Sequence, residues 1–102
     1  MGVTSIHIQE ALERTVSENG ILIDVRDRQE FHDGHIPMAI NIPLDDIVRG
    51  KYKLPKNRLL VVYCDSGLHS LTAARYLDRQ GYRVLNTYGG LSAYKKALTL
   101  KH

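Results

Sequence analysis

The chain holds one cysteine, Cys64, at the end of an apolar run. Leu59 to Tyr63 reads as a buried strand, and Cys64-Asp65-Ser66-Gly67-Leu68-His69 follows as a short turn with one glycine. Ser70-Leu71-Thr72-Ala73-Ala74-Arg75-Tyr76-Leu77 then reads as a helix, with Leu71, Ala74 and Leu77 on one face. A thiol fixed between a strand end and a helix start meets backbone N–H groups that lack internal partners, at the positive end of a helix dipole. Successive N–H groups of such a turn form a nest for an anion. Gly67 supplies a backbone conformation that a Cβ would block. These features predict a cysteine that ionises more easily than a free one, and the thiolate is the nucleophile. The competing reading is a cysteine that only packs, since free cysteine is among the most buried residue types. The agreement of the glycine, the small polar residues and the helix start favours the nucleophile.

The elements that must hold this turn are legible in order. Ile6 belongs to a short first strand, and Ile8 to Arg14 to a helix with Ile8, Leu12 and Val16 facing inward. Asn19-Gly20 is a stop, and Ile21 to Val25 reads as a central parallel strand. Arg28 to Phe31 makes a turn of helix ending at Gly34, Pro37 and Pro43 bracket an extended run over Ala39 to Ile42, and Leu44 to Val48 forms a short helix before Gly50. After the Ser70–Gln80 helix, Gly81 serves as its C-terminal stop. A last strand over Arg83 to Asn86, a turn at Tyr88-Gly89-Gly90 and a helix from Leu91 to Leu98, with Leu91, Tyr94 and Leu98 inward, complete the chain. Strands alternating with helices predict a doubly wound α/β fold in a single domain spanning residues 1–102. Ligands in such folds bind beyond the carboxyl ends of the strands, which is where Arg26 and Cys64 both fall. Arg26 is a candidate anion contact, or a salt-bridge partner of Asp24 or Glu30 that fixes the loop, and the structural role is the favoured one.

With 102 residues, 43% hydrophobic and 25% charged, the composition is that of an ordinary globule with one modest core. No apolar run approaches a membrane span, and the N-terminus lacks the apolar stretch of a secretory signal. A lone cysteine forms no internal disulfide and fits a reducing, cytoplasmic setting. The net charge of +3 is concentrated in Arg49 to Arg58. That segment reads as a solvated loop rather than a nucleic-acid surface, because a single tyrosine is interleaved. His32 and His35 are too few donors for a structural zinc site, so no metal is expected.

Several linked stretches resemble the rhodanese family of sulfurtransferases. Leu22-Ile23-Asp24-Val25-Arg26-Asp27-Arg28-Gln29-Glu30-Phe31-His32-Asp33-Gly34-His35-Ile36-Pro37 is similar to that family's L-I-D-V-R-x-x-x-E-F-x-x-G-H-I-P signature, and Ala39-Ile40-Asn41-Ile42-Pro43 to its continuation. The Cys64 turn is similar to its C-x-x-G-x-R-S loop, and Gly81-Tyr82 and Gly89-Gly90 fall where the family has matching residues. The resemblance implies a three-layer α/β/α rhodanese-like fold, with a small parallel sheet flanked by helices. It implies that Cys64 takes a sulfane sulfur from a small anionic donor such as thiosulfate as a persulfide and passes it to a thiol or cyanide. The backbone of Asp65, Ser66, Gly67, Leu68, His69 and Ser70 would stabilise the anionic sulfur, with Arg26 nearby and no cofactor beyond the covalent sulfur. The Ser70 hydroxyl is expected to cap its helix rather than donate to the thiolate. A protein-borne sulfur donor or acceptor is a further partner class; neither nucleic acid nor membrane is one.

The chief departure is His69, where the family's usual loop has Arg. Histidine is shorter and loses its charge near neutral pH. Asp65 adds negative charge beside the nucleophile. Lesser departures are Met38, where Gly is usual, and Tyr94, where the last helix usually has Trp. Three other readings compete. A phosphatase or arsenate reductase would require Arg six positions after the cysteine, where this chain has Ser70. A non-catalytic binding module fits the missing Arg, and a persulfide carrier fed by a protein would use the same persulfide chemistry with a different donor. Replacing His69 by Arg is expected to improve the use of thiosulfate. Turnover unchanged both at saturation and below it would show that position 69 does not touch the substrate.

Overall fold

The chain opens with strand β1 (Thr4–His7) and turns at once into helix α1 (Ile8–Ser17). His7 makes that turn possible, because its Nδ1 accepts the Gln9 N–H at 3.2 Å and so satisfies a donor that the helix cannot. Then come β2 (Ile21–Asp24), α2 (Arg28–Asp33), β3 (Ile40–Asn41), α3 (Leu44–Val48), β4 (Leu60–Tyr63), α4 (Leu68–Arg79), β5 (Val84–Tyr88) and α5 (Gly90–Leu100). The structure, a computed structural model, describes residues 2–100 and side chains through residue 98, so the extreme ends of the expected 1–102 unit lie outside it.

The strands form one sheet in the order β1-β5-β4-β2-β3, and every pairing is parallel. This is the expected α/β architecture with helices on both faces. The central strand is β4; β2 lies inside the sheet beside it. Leu60, Val62 and Cys64 project to one side, where they meet Ile23, Ile47 of α3, and Ala73, Ala74 and Leu77 of α4. Val61 and Tyr63 project to the other, against Leu22, Leu85, Ile8 and Ala11 of α1 and Leu91 of α5. The alternation along β4 thus supplies both cores, and each fully buried aliphatic side chain contributes about 1.5–3 kcal/mol. Ala73 and Ala74 have no bulk to hold α4 off the sheet, which brings its first turn close to Cys64.

Helix ends follow the sequence closely. Asp27 caps α2 by accepting the Glu30 N–H at 2.8 Å. At the end of α4, the Gly81 N–H bonds to Asp78 O and the Tyr82 N–H to Leu77 O, the paired arrangement that closes many helices at a glycine. The structure corrects three buried faces. In α1 the inward residues are Ile8, Ala11 and Thr15, whereas Val16 is 68% exposed. Steps of four drift about 40° each around a helix, so Val16 has rotated off the stripe that Ile8 begins. Thr15 is accommodated because its hydroxyl donates to Ala11 O at 2.7 Å. In α4 the face is Ser70, Ala73, Ala74 and Leu77, and Leu71 is only half-buried. In α5 Leu91 is buried, but Leu98 lines a shallow groove with Leu12 and Tyr94 and is 41% exposed.

The basic segment after α3 is tied to its own fold. Arg58 donates to Asn19 O at 3.0 Å, and the Lys56 ammonium donates to Gln80 O and lies 4.1 Å from the centre of the Tyr82 ring. Among the described residues no helix is long and apolar enough to cross a membrane. Replacing Leu77, fully buried between α4 and the sheet, by Ala is expected to cost about 2–5 kcal/mol in urea unfolding, while Val16→Ser stays within about 0.5 kcal/mol.

Candidate active site

Cys64 follows directly on the central strand and is 3% exposed. Its Sγ accepts the Gly67 N–H at 3.1 Å and the Ser70 N–H at 3.4 Å, and lies 3.5 Å from Ser70 Oγ. Two amides thus converge on one sulfur, an arrangement that stabilises negative charge there, and the thiol itself donates toward Ser70 Oγ. The helix begins at Leu68, two residues before the expected Ser70, with Gly67 as its N-cap and no side-chain cap. Gly67 makes the early start possible. Its φ is +122°, and a Cβ there would lie 2.8 Å from Thr87 O and 3.2 Å from Tyr88 Cα. Ser70 is consequently the third helical residue, and its buried hydroxyl faces the thiol instead of capping the helix, contrary to expectation.

What turns the Gly67 amide toward the sulfur is α5 with the residue before it, which sequence reasoning did not connect to the site. Gly89 N–H donates to Ser66 O at 3.1 Å, Leu91 N–H to Cys64 O at 2.9 Å, and Ser92 N–H to Asp65 O at 3.2 Å. In a trans peptide the N–H points opposite to the C=O. With the Ser66 carbonyl held by Gly89, the N–H of the same peptide, that of Gly67, is directed to Sγ. Gly90 permits this contact, since a Cβ on it would overlap the Cys64 carbonyl oxygen. Asn86, buried on β5, adds a bond from Nδ2 to Gly67 O at 3.4 Å and another to Ser5 Oγ at 3.1 Å. The Gly89-Gly90 pair was the visible sequence signal for this buttress.

Arg26 lies at the end of the neighbouring strand, its side chain 8% exposed. Nε and one terminal nitrogen grip the carboxylate of Asp24, itself fully buried, at 2.9–3.2 Å, and that nitrogen also donates to Gly34 O at 2.6 Å. The other terminal nitrogen is 3.6 Å from Asp65, the residue after Cys64. Burial opposes its charge, yet the hydrogen bond and charge of Asp24 outweigh that and hold the Arg26 pKa above the ordinary arginine value. Arg26 therefore joins the two strand-end loops through Asp24 and Asp65, while Glu30 contributes charge nearby. Asn41 adds bonds from its amide to Asp24 O and Arg26 O at 3.0 and 2.9 Å. Tyr63 accepts the Ile36 N–H at 3.0 Å; burial lifts its hydroxyl well above the tyrosine range, the Ile36 bond opposes this, and the adjoining Asp24 carboxylate reinforces it.

Asp65, Leu68 and His69 face solvent around the cysteine, with Leu68 74% exposed. Ser66 is exposed as well, and the His69 side chain makes no ion pair or hydrogen bond among the described residues. No cluster of three or more metal-binding side chains occurs among the described residues.

The rhodanese-like domain model matches residues 8–97. The chain belongs to the rhodanese-like family. A sulfurtransferase of Allochromatium vinosum is 41% identical over 81 residues, covering 78% of this chain and 76% of that protein. The thiosulfate sulfurtransferase GlpE of Shewanella oneidensis is 31% identical over 93 residues, with 90% and 92% covered. The crystal structure of a rhodanese-like domain protein from Staphylococcus aureus superposes with a TM-score of 0.78 at 31% identity, covering 90% of this chain and 91% of that one. These similarities make this rhodanese-like chain a sulfurtransferase-type transferase. Replacing Arg26 by Gln would leave the Asp24 carboxylate buried without its cation, a loss of about 3–5 kcal/mol by denaturant unfolding. The Asp24→Asn, Arg26→Gln pair is expected to recover part of it.

Proposed function

We propose that this protein transfers sulfane sulfur through a persulfide on Cys64. The observation that carries the reading is the convergence of the Gly67 and Ser70 amides on a sulfur at the end of the central strand. The thiolate attacks the outer sulfur of a donor. With thiosulfate, the Sγ–S bond forms as the donor's S–S bond breaks, and sulfite leaves with the bonding pair. An acceptor thiolate, or cyanide, then attacks the outer sulfur; the Sγ–S bond breaks, and the Cys64 thiolate is restored. Among the described residues the amides of Asp65, Ser66, Leu68 and His69 meet no acceptor, which leaves them available to the added sulfur. The covalent sulfur is the only group the chemistry requires, and a reactive free thiol suits a reducing compartment such as the cytoplasm.

A persulfide carrier loaded by another protein is the second reading, and exposed, unpartnered His69 favours it. No guanidinium stands there to bind a dianionic donor. The deciding measurement is intact-protein mass after brief thiosulfate exposure, beside a Cys64→Ala control and followed by cyanide. Sulfur transfer predicts a gain of one sulfur that requires Cys64 and is removed by cyanide. Loading only by a protein persulfide donor would select the carrier. No loading from either source would leave a binding module as the better account.

A further inference from the structure

The charges around the Cys64 turn are arranged in two zones. At the sulfur the surroundings favour an anion, because the Gly67 and Ser70 amides point at Sγ from the start of α4. One layer out the sign reverses. Arg26, the guanidinium beside the turn, is not offered to a ligand: Asp24 holds two of its nitrogens, Gly34 O accepts a further bond, and Asp65 faces the third nitrogen at 3.6 Å. Asp65 is the outer member of this group, its side chain 57% exposed against 8% for Arg26. Beyond it stand the exposed carboxylates of Asp27 and Glu30. Glu30 senses this setting. Reduced hydration raises its pKa first, and the negative charges of Asp27 and Asp65 add to the rise. The other exposed groups around the turn are Ser66, His69 and the apolar Leu68, with Tyr88, 53% exposed, whose backbone lies against Gly67.

We propose that Asp65 is a specificity-determining residue, cancelling the charge of Arg26 at the mouth and selecting sulfur donors and acceptors that are negative at the reacting sulfur but neutral or cationic around it. The inference rests on Cys64 as the sulfur-transferring residue. The partner that fits is a cysteine, as thiolate or persulfide, on a polypeptide with basic residues flanking it. Its backbone and apolar side chains would lie over Leu68 and Tyr88, and its cations would face Asp65 and Glu30. A compact dianion such as thiosulfate satisfies the inner zone and is repelled by the outer one.

The filter is read without sulfur transfer by modifying Cys64 with two methanethiosulfonates of similar size, one carrying trimethylammonium and one sulfonate. Their rate ratio is normalised to that of a free thiol in the same buffer. The expected ratio favours the cationic reagent by about fivefold or more at low salt and falls toward one near 1 M salt, where the screening length is about 3 Å. Asp65→Asn should reduce the ratio severalfold, whereas Glu13→Gln, on the exposed face of α1, should leave it unchanged. A normalised ratio at or below one, or one insensitive to Asp65→Asn, overturns the proposal. A second arm follows sulfur leaving persulfidated protein for two synthetic peptides that differ only in Lys-Cys-Lys or Glu-Cys-Glu. Faster transfer to the lysine peptide supports the partner class, and equal or reversed rates reject it. Should Cys64 accept no sulfur from any donor, the transfer reading fails, while the reagent ratio still decides whether Asp65 sets the charge preference.

Discussion

The fixed orientation of a few peptide planes is the constraint on which the site depends. The carbonyls of Cys64, Asp65 and Ser66 are bonded to the first turn of α5 and the residue before it, and the Ser66–Gly67 peptide so held turns its N–H toward the thiol. A flexible turn would satisfy its amides with water and leave the sulfur unsupported. Here the donors are set in advance, and no reorganisation is needed when charge develops on the sulfur. Two glycines make the arrangement sterically possible. Gly67 admits the close approach of β5, and Gly90 the close approach of the cysteine carbonyl.

The second organising interaction is the ion pair of Arg26 with Asp24. Both side chains are withdrawn from water, which is costly unless the geometry is good and every remaining donor is used. The guanidinium spans the Asp24 carboxylate, the Gly34 carbonyl and Asp65, and Asn41 bonds the backbone beneath it. The pair therefore connects the loop after β2 with the loop after β4. Its positive charge is consumed in the process, which distinguishes this mouth from one that presents a free guanidinium to an anion. The anion-binding capacity at the sulfur thus resides in backbone amides at short range.

Much of this was legible in the chain. Cys64 at the end of an apolar run, the glycine three residues later and the helix that follows specify a strand–turn–helix because each obeys local rules of periodicity and backbone freedom. The alternation of strands and helices gave the layered parallel sheet. The faces of α1 and α4 were harder to place. Spacing by four marks an apolar stripe, but which side is covered depends on the packing angle, so Thr15 is buried while Val16 is exposed. The start of α4 was misplaced because a polar Ser70 suggested a cap, whereas the cap is Gly67, held by contacts from β5.

The chain by itself determined the nucleophile candidate, the elements around it and the replacement of an expected arginine by His69, since these follow from residue type and near-neighbour spacing. The pairing of Arg26 with Asp24, two residues away, was among the partners the chain offered, but tertiary structure alone decided that Arg26 also reaches Asp65, that Asn41 and Asn86 brace the loops, and that α5 orients the cysteine turn. These contacts join segments separated along the chain and brought together by the parallel order of the sheet. Their energies depend on distance and exclusion of water, neither of which local sequence spacing specifies.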